Sequence, residues 1–181
     1  WYYSPDCHKS VDMVIAVNGI PVFAFELKNQ YTGQGIEDAK RQWMYDRDQR
    51  ELCFCFNNRI LAFFCVDHLE VCMTTKLDGK NTFFLPFNQG SNGAGNDGGK
   101  GNPANPEGYP TAYLWEQVFQ KDSMMDILQK FIHLQIEEDK KLQADGSEKV
   151  TKKKTIIFPR YHQLDVVRKL IADVSENGGR T

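Results

Sequence analysis

Residues 11–28, VDMVIAVNGIPVFAFELK, consist of two apolar runs joined by the dipeptide Asn18-Gly19. Asn-Gly between apolar runs is the strongest short-range signal for a β-hairpin, because both residues tolerate positive φ angles. The segment therefore predicts two antiparallel strands in the core, a strong constraint on the fold. Three charged residues interrupt the apolar runs: Asp12, Glu26 and Lys28.

The type of turn decides which of these charges share a face of the hairpin. Glu26 and Lys28 are two residues apart on one strand, so they point to the same face at a separation of about 7 Å. A strict two-residue turn would place Asp12 opposite Phe25, on the other face from Glu26. A three-residue loop or a bulge near the turn would instead place Asp12 opposite Glu26. We expect this second register, with both carboxylates on one face.

Two carboxylates on one buried face repel each other unless a cation lies between them. Magnesium suits this position because it prefers oxygen ligands, and the backbone carbonyl of Leu27 is a plausible third ligand beside Asp12 and Glu26. Lys28 could orient a water molecule or neutralise charge on phosphorus, so the set predicts phosphodiester hydrolysis. The alternative from the residues alone is a Glu26–Lys28 salt bridge, with Asp12 at a strand edge.

The rest of the chain predicts a mixed sheet with helices. A helix is expected over residues 35–50, where Ile36, Ala39 and Trp43 form an apolar stripe. Further strands are expected at 51–57, 59–67, 69–77 and 81–87. Helices are expected in TAYLWEQVF, over residues 123–141 and after Pro159, ending at the glycines 178 and 179. Short breaks between strands imply antiparallel neighbours, and the first helix suggests a mixed sheet.

Composition narrows the class of protein. With 41% hydrophobic residues and a net charge of −2, the chain fits a globular protein and not a generally basic nucleic-acid binder. No apolar run is long enough to span a bilayer, so no membrane partner is expected. The five cysteines fit reduced, packed thiols in a cytoplasmic protein: Cys7, Cys53, Cys55, Cys65 and Cys72.

Several segments together resemble a known family. SVDMVIAVNGIPVFAFELKN, TGQGIEDAKRQ, DRDQRELCFCFNNRILAFFCVD, VCMTTKLDGKNTFFLPFNQG and AYLWEQVFQKDSMMDILQKFI are similar to the nuclease domain of the restriction (R, HsdR-type) subunit of type I restriction-modification enzymes. Asp12, Glu26 and Lys28 match the PD-(D/E)xK nuclease pattern of that family. The resemblance implies an α/β fold: a restriction-endonuclease-like mixed β-sheet flanked by helices.

The resemblance also implies an activity and partners. It implies magnesium-dependent cleavage of double-stranded DNA, coupled to ATP-driven translocation in the full-length subunit, and association with methyltransferase and specificity subunits. IIFPRYHQLDVVRKLI resembles the segment leading into the helicase-like motor domain. The expected division is therefore a nuclease domain at 1–141, a linker at 142–155 and the beginning of a motor domain at 156–181. We expect the chain to be a fragment of a longer protein.

Three further residues receive roles from the resemblance. Gln42 matches the first position of the family's Q-x-x-x-Y pattern on the helix after the catalytic motif, a DNA-binding element. Asp46 occupies the expected tyrosine position, and Tyr45, one residue earlier, is the candidate substitute. Gln163 matches a glutamine for which an adenine contact of ATP is implied. The alternatives are a repair or junction-resolving nuclease of the same fold, or a non-catalytic DNA-binding or assembly module.

Overall fold

The computed structural model describes residues 1–4, 8–142 and 148–178. Within them, a five-stranded sheet of order β1-β2-β3-β4-β5 carries helices on both faces, and a two-stranded hairpin follows it. The sheet consists of β1 (Met13–Val17), β2 (Ile20–Leu27), β3 (Ala62–Val66), β4 (Val71–Thr74) and β5 (Leu85–Pro86). The hairpin consists of β6 (His133–Leu142) and β7 (Glu148–Ile157).

The helices are short except for the last. They are α1 (Ile36–Arg41), which continues into a π-helical turn at Gln42–Asp46, α2 (Lys121–Asp126), which continues into a π-helical turn at Ile127–Phe131, and α3 (Tyr161–Asn177). A further π-helical turn lies at Leu114–Val118, within the predicted TAYLWEQVF helix. α3 ends at Gly178, whose φ of 60° is the left-handed conformation that favours glycine after a helix.

The β1–β2 connection is a tight two-residue turn. Asn18 and Gly19 both have positive φ, 49° and 81°, as a type I′ hairpin turn requires. Val17 pairs directly with Ile20 across it. Taken alone, this turn gives the register that would separate Asp12 from Glu26.

A β-bulge next to this turn shifts the register by one residue, so that Asp12 and Glu26 are no longer separated. Ala16 pairs with Pro21, but Ile15 pairs with Phe23, so Val22 is an extra residue on β2. Val22 and Phe23 are consecutive and yet both belong to the same core cluster, as expected when a bulge interrupts the alternation of side chains. Proline has no N–H to donate to the ladder, and bulges are among the few places in a sheet that tolerate it.

The register beyond the bulge confirms the predicted arrangement. Met13 pairs with Phe25, so the next step along the ladder brings Asp12 level with Glu26. The expectation of a bulge near the turn was correct, although the turn itself has only two residues.

The mixed character of the sheet comes from β2 and β3, which run parallel, with α1 in the connection between them. β3–β4 and β4–β5 are antiparallel. Alternate residues of β2 point to opposite faces of the sheet and enter two separate hydrophobic clusters. Phe23 and Phe25 face the side covered by the Leu114–Val118 turn, the turn after α2, and α3. Ala24 faces α1, and Glu26, two residues later, lies on that same side.

Two predicted elements in the first half of the chain are corrected. Residues 51–57 form turns rather than a strand, and of 81–87 only Leu85–Pro86 is a strand. The aromatic and cysteine side chains of the 51–57 segment still enter the core: Cys53 and Phe54 are buried beneath α1. The alternation of cysteine with phenylalanine in this segment produced a strand-like pattern, but the segment pairs with no strand among the described residues.

The second half of the chain holds a larger correction. The helix expected over 123–141 ends at Phe131, and most of the expected linker, 142–155, is strand β7. Cross-strand charge pairing explains the difference, because Glu137 and Glu138 lie opposite Lys153 and Lys152. Lys152 Nζ is 2.9 Å from Glu138 Oε1. The basic run is exposed, as expected, but it forms a strand that pairs with an acidic strand.

The segment expected to begin a motor domain packs on the sheet. Phe158, Tyr161 and Leu164 are buried in the same cluster as Phe23 and Phe25. Whether residues 156–181 begin a second domain stays a prediction.

Two other expectations concern the cysteines and the membrane. Cys53, Cys55, Cys65 and Cys72 are free thiols, as expected, and Cys7 lies outside the described residues. Across the part of the chain that is described, no helix combines the length and apolar character needed to cross a bilayer.

Candidate active site

Asp12 stands just before β1, where a backbone hydrogen bond fixes its carboxylate against β2. The Leu27 N–H donates to Asp12 Oδ2 at 2.8 Å. Leu27 is the residue between Glu26 and Lys28, so this bond joins Asp12 to the E-x-K motif itself. The bulge makes the contact possible, because without it Asp12 would lie level with Phe25.

Glu26 is the most deeply buried charged residue of the site, with 0% of its surface exposed. Its Oε1 atom accepts from Arg47 Nε at 2.7 Å and lies 2.6 Å from Arg47 Nη2. Its Oε2 atom is buried and has no hydrogen-bond partner among the residues that the structure describes. An unsatisfied buried carboxylate oxygen is costly, so this atom marks a position where a donor or a cation would be favourable.

The electrostatics of Glu26 reflect this burial. Burial raises the pKa of Glu26 from 4.5 to about 7; Arg47 and Lys28 oppose the shift, and the nearby charge of Asp12 adds to it. The side chain therefore ionises near neutral pH. A divalent cation bound at Oε2 would favour the charged form and move this ionisation to lower pH.

The oxygens available here fit a magnesium ion better than a softer metal. Asp12, Glu26 and the backbone carbonyl of Leu27 would be the protein ligands, and all are hard oxygen donors. Among residues 1–4, 8–142 and 148–178, no group of three or more His, Cys, Asp or Glu is arranged to hold a metal. Such an ion would therefore depend on backbone, water or phosphate oxygens to complete its shell.

Lys28 ends the motif at the carboxyl end of β2. Its N–H donates to the carbonyl of Val66 at 2.8 Å, and only 9% of the residue is exposed. Lys28 lines a cavity of about 340 Å³ at this edge of the sheet. The ion pair of Glu26 is made with Arg47 rather than Lys28, so the simple Glu26–Lys28 salt bridge is not the arrangement that forms.

Comparison with known families identifies this part of the chain. A family model described as "Type I restriction enzyme R protein N terminus" matches residues 3–82, just under half of the chain. Residues 3–82 are thus similar to the N-terminal part of type I restriction enzyme R proteins. Searches of curated proteins and of solved structures each found no match. The matched segment contains the whole hairpin motif and the helix after it.

Within this R-protein segment, the two residues assigned to DNA binding differ in their surroundings. Gln42 is half-buried, and its buried Oε1 atom has no hydrogen-bond partner within the described part of the chain. Tyr45 is 66% exposed. The π-helical turn widens the helix here, so the regular i+3 and i+4 spacing no longer describes which side chains share a face. Their roles in DNA binding stay predictions.

Gln163 lies outside the matched R-protein segment, at the start of α3. Its side-chain oxygen accepts from the Arg160 N–H at 2.9 Å and caps the helix. The neighbouring Arg160 and His162 line a cavity of about 410 Å³ together with Gly90 and Gly101 of the long loop that follows β5. The implied adenine contact is not tested by this arrangement.

Arg47 is the site residue that the sequence did not single out. It lies after the π-helical turn, and its side chain, only 8% exposed, reaches back to Glu26. A buried glutamate requires a cationic partner. However, Lys40, Arg41, Arg47 and Arg50 all follow within 24 residues, and only the packing of the helix selects one.

The raised pKa of Glu26 gives a prediction for stability. The unfolded glutamate binds fewer protons than the folded one between pH 4.5 and about 7, so stability falls as pH rises through this window. In the wild type we expect the free energy of unfolding to fall by roughly 3 kcal/mol as the pH rises through this window. In Glu26→Gln this fall should be absent. Chemical denaturation at several pH values measures this difference.

The control for this prediction is Glu107→Gln, which removes an exposed loop carboxylate. Its stability profile should follow that of the wild type. Parallel profiles for wild type and Glu26→Gln would show that Glu26 ionises normally and that the site is more hydrated than its burial indicates.

Proposed function

We propose that this chain carries the endonuclease site of a type I restriction enzyme R protein and hydrolyses phosphodiester bonds in double-stranded DNA with Mg²⁺. The observation that carries the proposal is the buried Glu26. It stands level with Asp12 because of the bulge, and one of its oxygens has no partner among residues 1–4, 8–142 and 148–178. For a glutamate that served only in a structural salt bridge, a second carboxylate on the same face would be unfavourable, because the two negative charges repel each other.

The side chains would divide the work as follows. Asp12, Glu26 and the Leu27 carbonyl would hold Mg²⁺, which supplies phosphate polarisation and a bound water of lowered pKa. Lys28 would bring a positive charge to the phosphate oxygens as negative charge develops on them. Arg47 keeps Glu26 oriented through two contacts to one oxygen, which leaves the other oxygen available.

The remaining expectations extend this function to the complete enzyme. Gln42 and Tyr45 would contact the DNA backbone beside the site. Methyltransferase and specificity subunits would supply sequence recognition, and the motor domain expected to begin at 156–181 would supply ATP-driven translocation, with Gln163 near the adenine. The family match at residues 3–82 supports the restriction system over a repair or junction-resolving nuclease. The intact triad Asp12, Glu26 and Lys28 argues against a non-catalytic module.

Asp12→Asn tests the proposed metal site in an assembled restriction enzyme whose R subunit contains this chain. We expect loss of DNA cleavage, because an amide keeps the size of the side chain and removes the charge that a hard cation requires. Chelation of Mg²⁺ should stop wild-type cleavage in the same assay. Asp48→Asn is the matched control, since Asp48 is an exposed carboxylate paired with Arg50. Full cleavage by Asp12→Asn would exclude the proposed site.

A further inference from the structure

Three rings that the nuclease motif does not use stack against one another at the end of the sheet. His68 lies flat on Tyr109, with ring centroids 4.1 Å apart and an interplanar angle of 10°. Tyr31 meets His68 edge-on at 5.7 Å. These residues, Tyr31, His68 and Tyr109, are called the aromatic stack below.

The topology of the sheet brings the aromatic stack to the catalytic lysine. β2 and β3 are parallel, so the residues that follow them leave the sheet at the same edge. Lys28 follows β2 directly, and Tyr31 comes three residues later. His68 is two residues beyond the end of β3. Lys28, His68 and Tyr109 line the same cavity of about 340 Å³.

The backbone around the stack is held by buried side-chain hydrogen bonds. Asp67 is 6% exposed, and its Oδ1 atom accepts from the N–H groups of Leu69 and Glu70 at 2.8 and 2.7 Å. Thr111 is 4% exposed and donates to the Asp67 carbonyl at 2.8 Å, which ties the Tyr109 segment to the end of β3. The stack is therefore a positioned feature rather than a chance encounter of loop side chains.

The rings nevertheless remain open to solvent. Tyr31 is 87% exposed and Tyr109 is 52% exposed. They contribute little to the core, although the core of this domain buries many other aromatic side chains. Ordered aromatic rings with free surface beside a nuclease site suit the faces of nucleobases, which stack on tyrosine irrespective of sequence.

We propose that the aromatic stack binds an unpaired nucleobase of the DNA strand held at Lys28, an inference that rests on the proposed nuclease function. A base inside a duplex has both faces covered by its neighbours, so it cannot offer a face to these rings. A base that has left the helix can do so. The site would thus favour DNA that is locally unpaired next to the bond to be cut.

Binding of a duplex with one unpaired 2-aminopurine, compared with the same duplex fully paired, tests this inference. EDTA prevents cleavage, so the measurement does not depend on magnesium. We expect quenching of the unpaired probe by the wild type. Tyr109→Ala and Tyr31→Ala should each weaken binding of that probe by roughly 5- to 100-fold, the range of one lost base–aromatic stack. Binding of the paired duplex should be unchanged, and Tyr109→Trp should restore the preference.

Phe83→Ala is the matched control, because Phe83 is 74% exposed and lines a different cavity. It should bind both probes as the wild type does. Equal affinity of the wild type for the two probes, or equal loss on both in Tyr31→Ala and Tyr109→Ala, would overturn the inference. Neither result affects the nuclease proposal, which depends on the cleavage assays with Asp12→Asn and Lys28→Ala.

Discussion

Lys28→Ala should abolish DNA cleavage by an assembled restriction enzyme that contains this chain, with a loss of about 10²-fold or more. Lys28 follows β2 directly, two residues after Glu26, and lines the cavity of about 340 Å³ at this edge of the sheet. ATP hydrolysis should stay largely intact, because the proposed motor would lie outside the nuclease segment. Nicking and ATPase assays on the same preparation measure both activities.

Lys28 is 9% exposed, so its loss must be separated from misfolding. Thermal denaturation of the variant provides that check, and retained ATP hydrolysis and subunit assembly provide a second. Lys121→Ala removes an exposed lysine at the start of α2 and should cut DNA normally. Unchanged cleavage by Lys28→Ala would refute the assignment of Lys28 to the catalytic site.

Arg47→Ala should destabilise the fold by about 3–5 kcal/mol near pH 8, the usual cost of leaving one member of a buried ion pair without its partner. The pKa of Glu26 is already about 7 with Arg47 present, and Arg47 lowers it. Removing Arg47 therefore raises this pKa further. The Glu26 carboxyl of the folded variant then stays protonated over a wider pH range. The free energy of unfolding that is lost as the pH rises is therefore larger than in the wild type.

The pH dependence of the destabilisation by Arg47→Ala is tested by measuring the free energy of unfolding near pH 6 and near pH 8. Near pH 6 the Glu26 carboxyl is mostly protonated, so the variant should lose less there than near pH 8. Glu26→Gln in the Arg47→Ala background should remove the pH dependence. Arg50→Ala is the control, since the Arg50 side chain is 86% exposed. An equal loss at both pH values would indicate that Arg47 contributes by packing alone.

Much of the site follows from local sequence. The E-x-K spacing places Glu26 and Lys28 on one face of any strand, and Asn18-Gly19 gives the hairpin. The register that places Asp12 opposite Glu26 was also predicted. That prediction came from the metal-binding chemistry expected of two carboxylates and not from the residues of the turn. The extra residue Val22 has no distinctive side chain, and only Pro21 beside it hints at an irregular ladder.

The errors share one physical cause, which is that strands depend on distant partners. Residues 51–57 alternate like a strand but find no neighbour, whereas residues 133–142 look helical and pair with 148–157. Cross-strand pairs such as Glu138 with Lys152 are not visible until both segments are brought together.

The sequence by itself determined the hairpin, the alternating faces of β2 and the identity of the carboxylates and lysine, because strand periodicity and turn chemistry are local. The tertiary structure decided which cation neutralises Glu26 and that its second oxygen has no partner among the described residues. It also decided that Tyr31, His68 and Tyr109 meet beside Lys28. These features depend on how a helix and two parallel strands pack against one another. The pKa of Glu26 also depends on this packing, because its side chain is buried only in the folded protein.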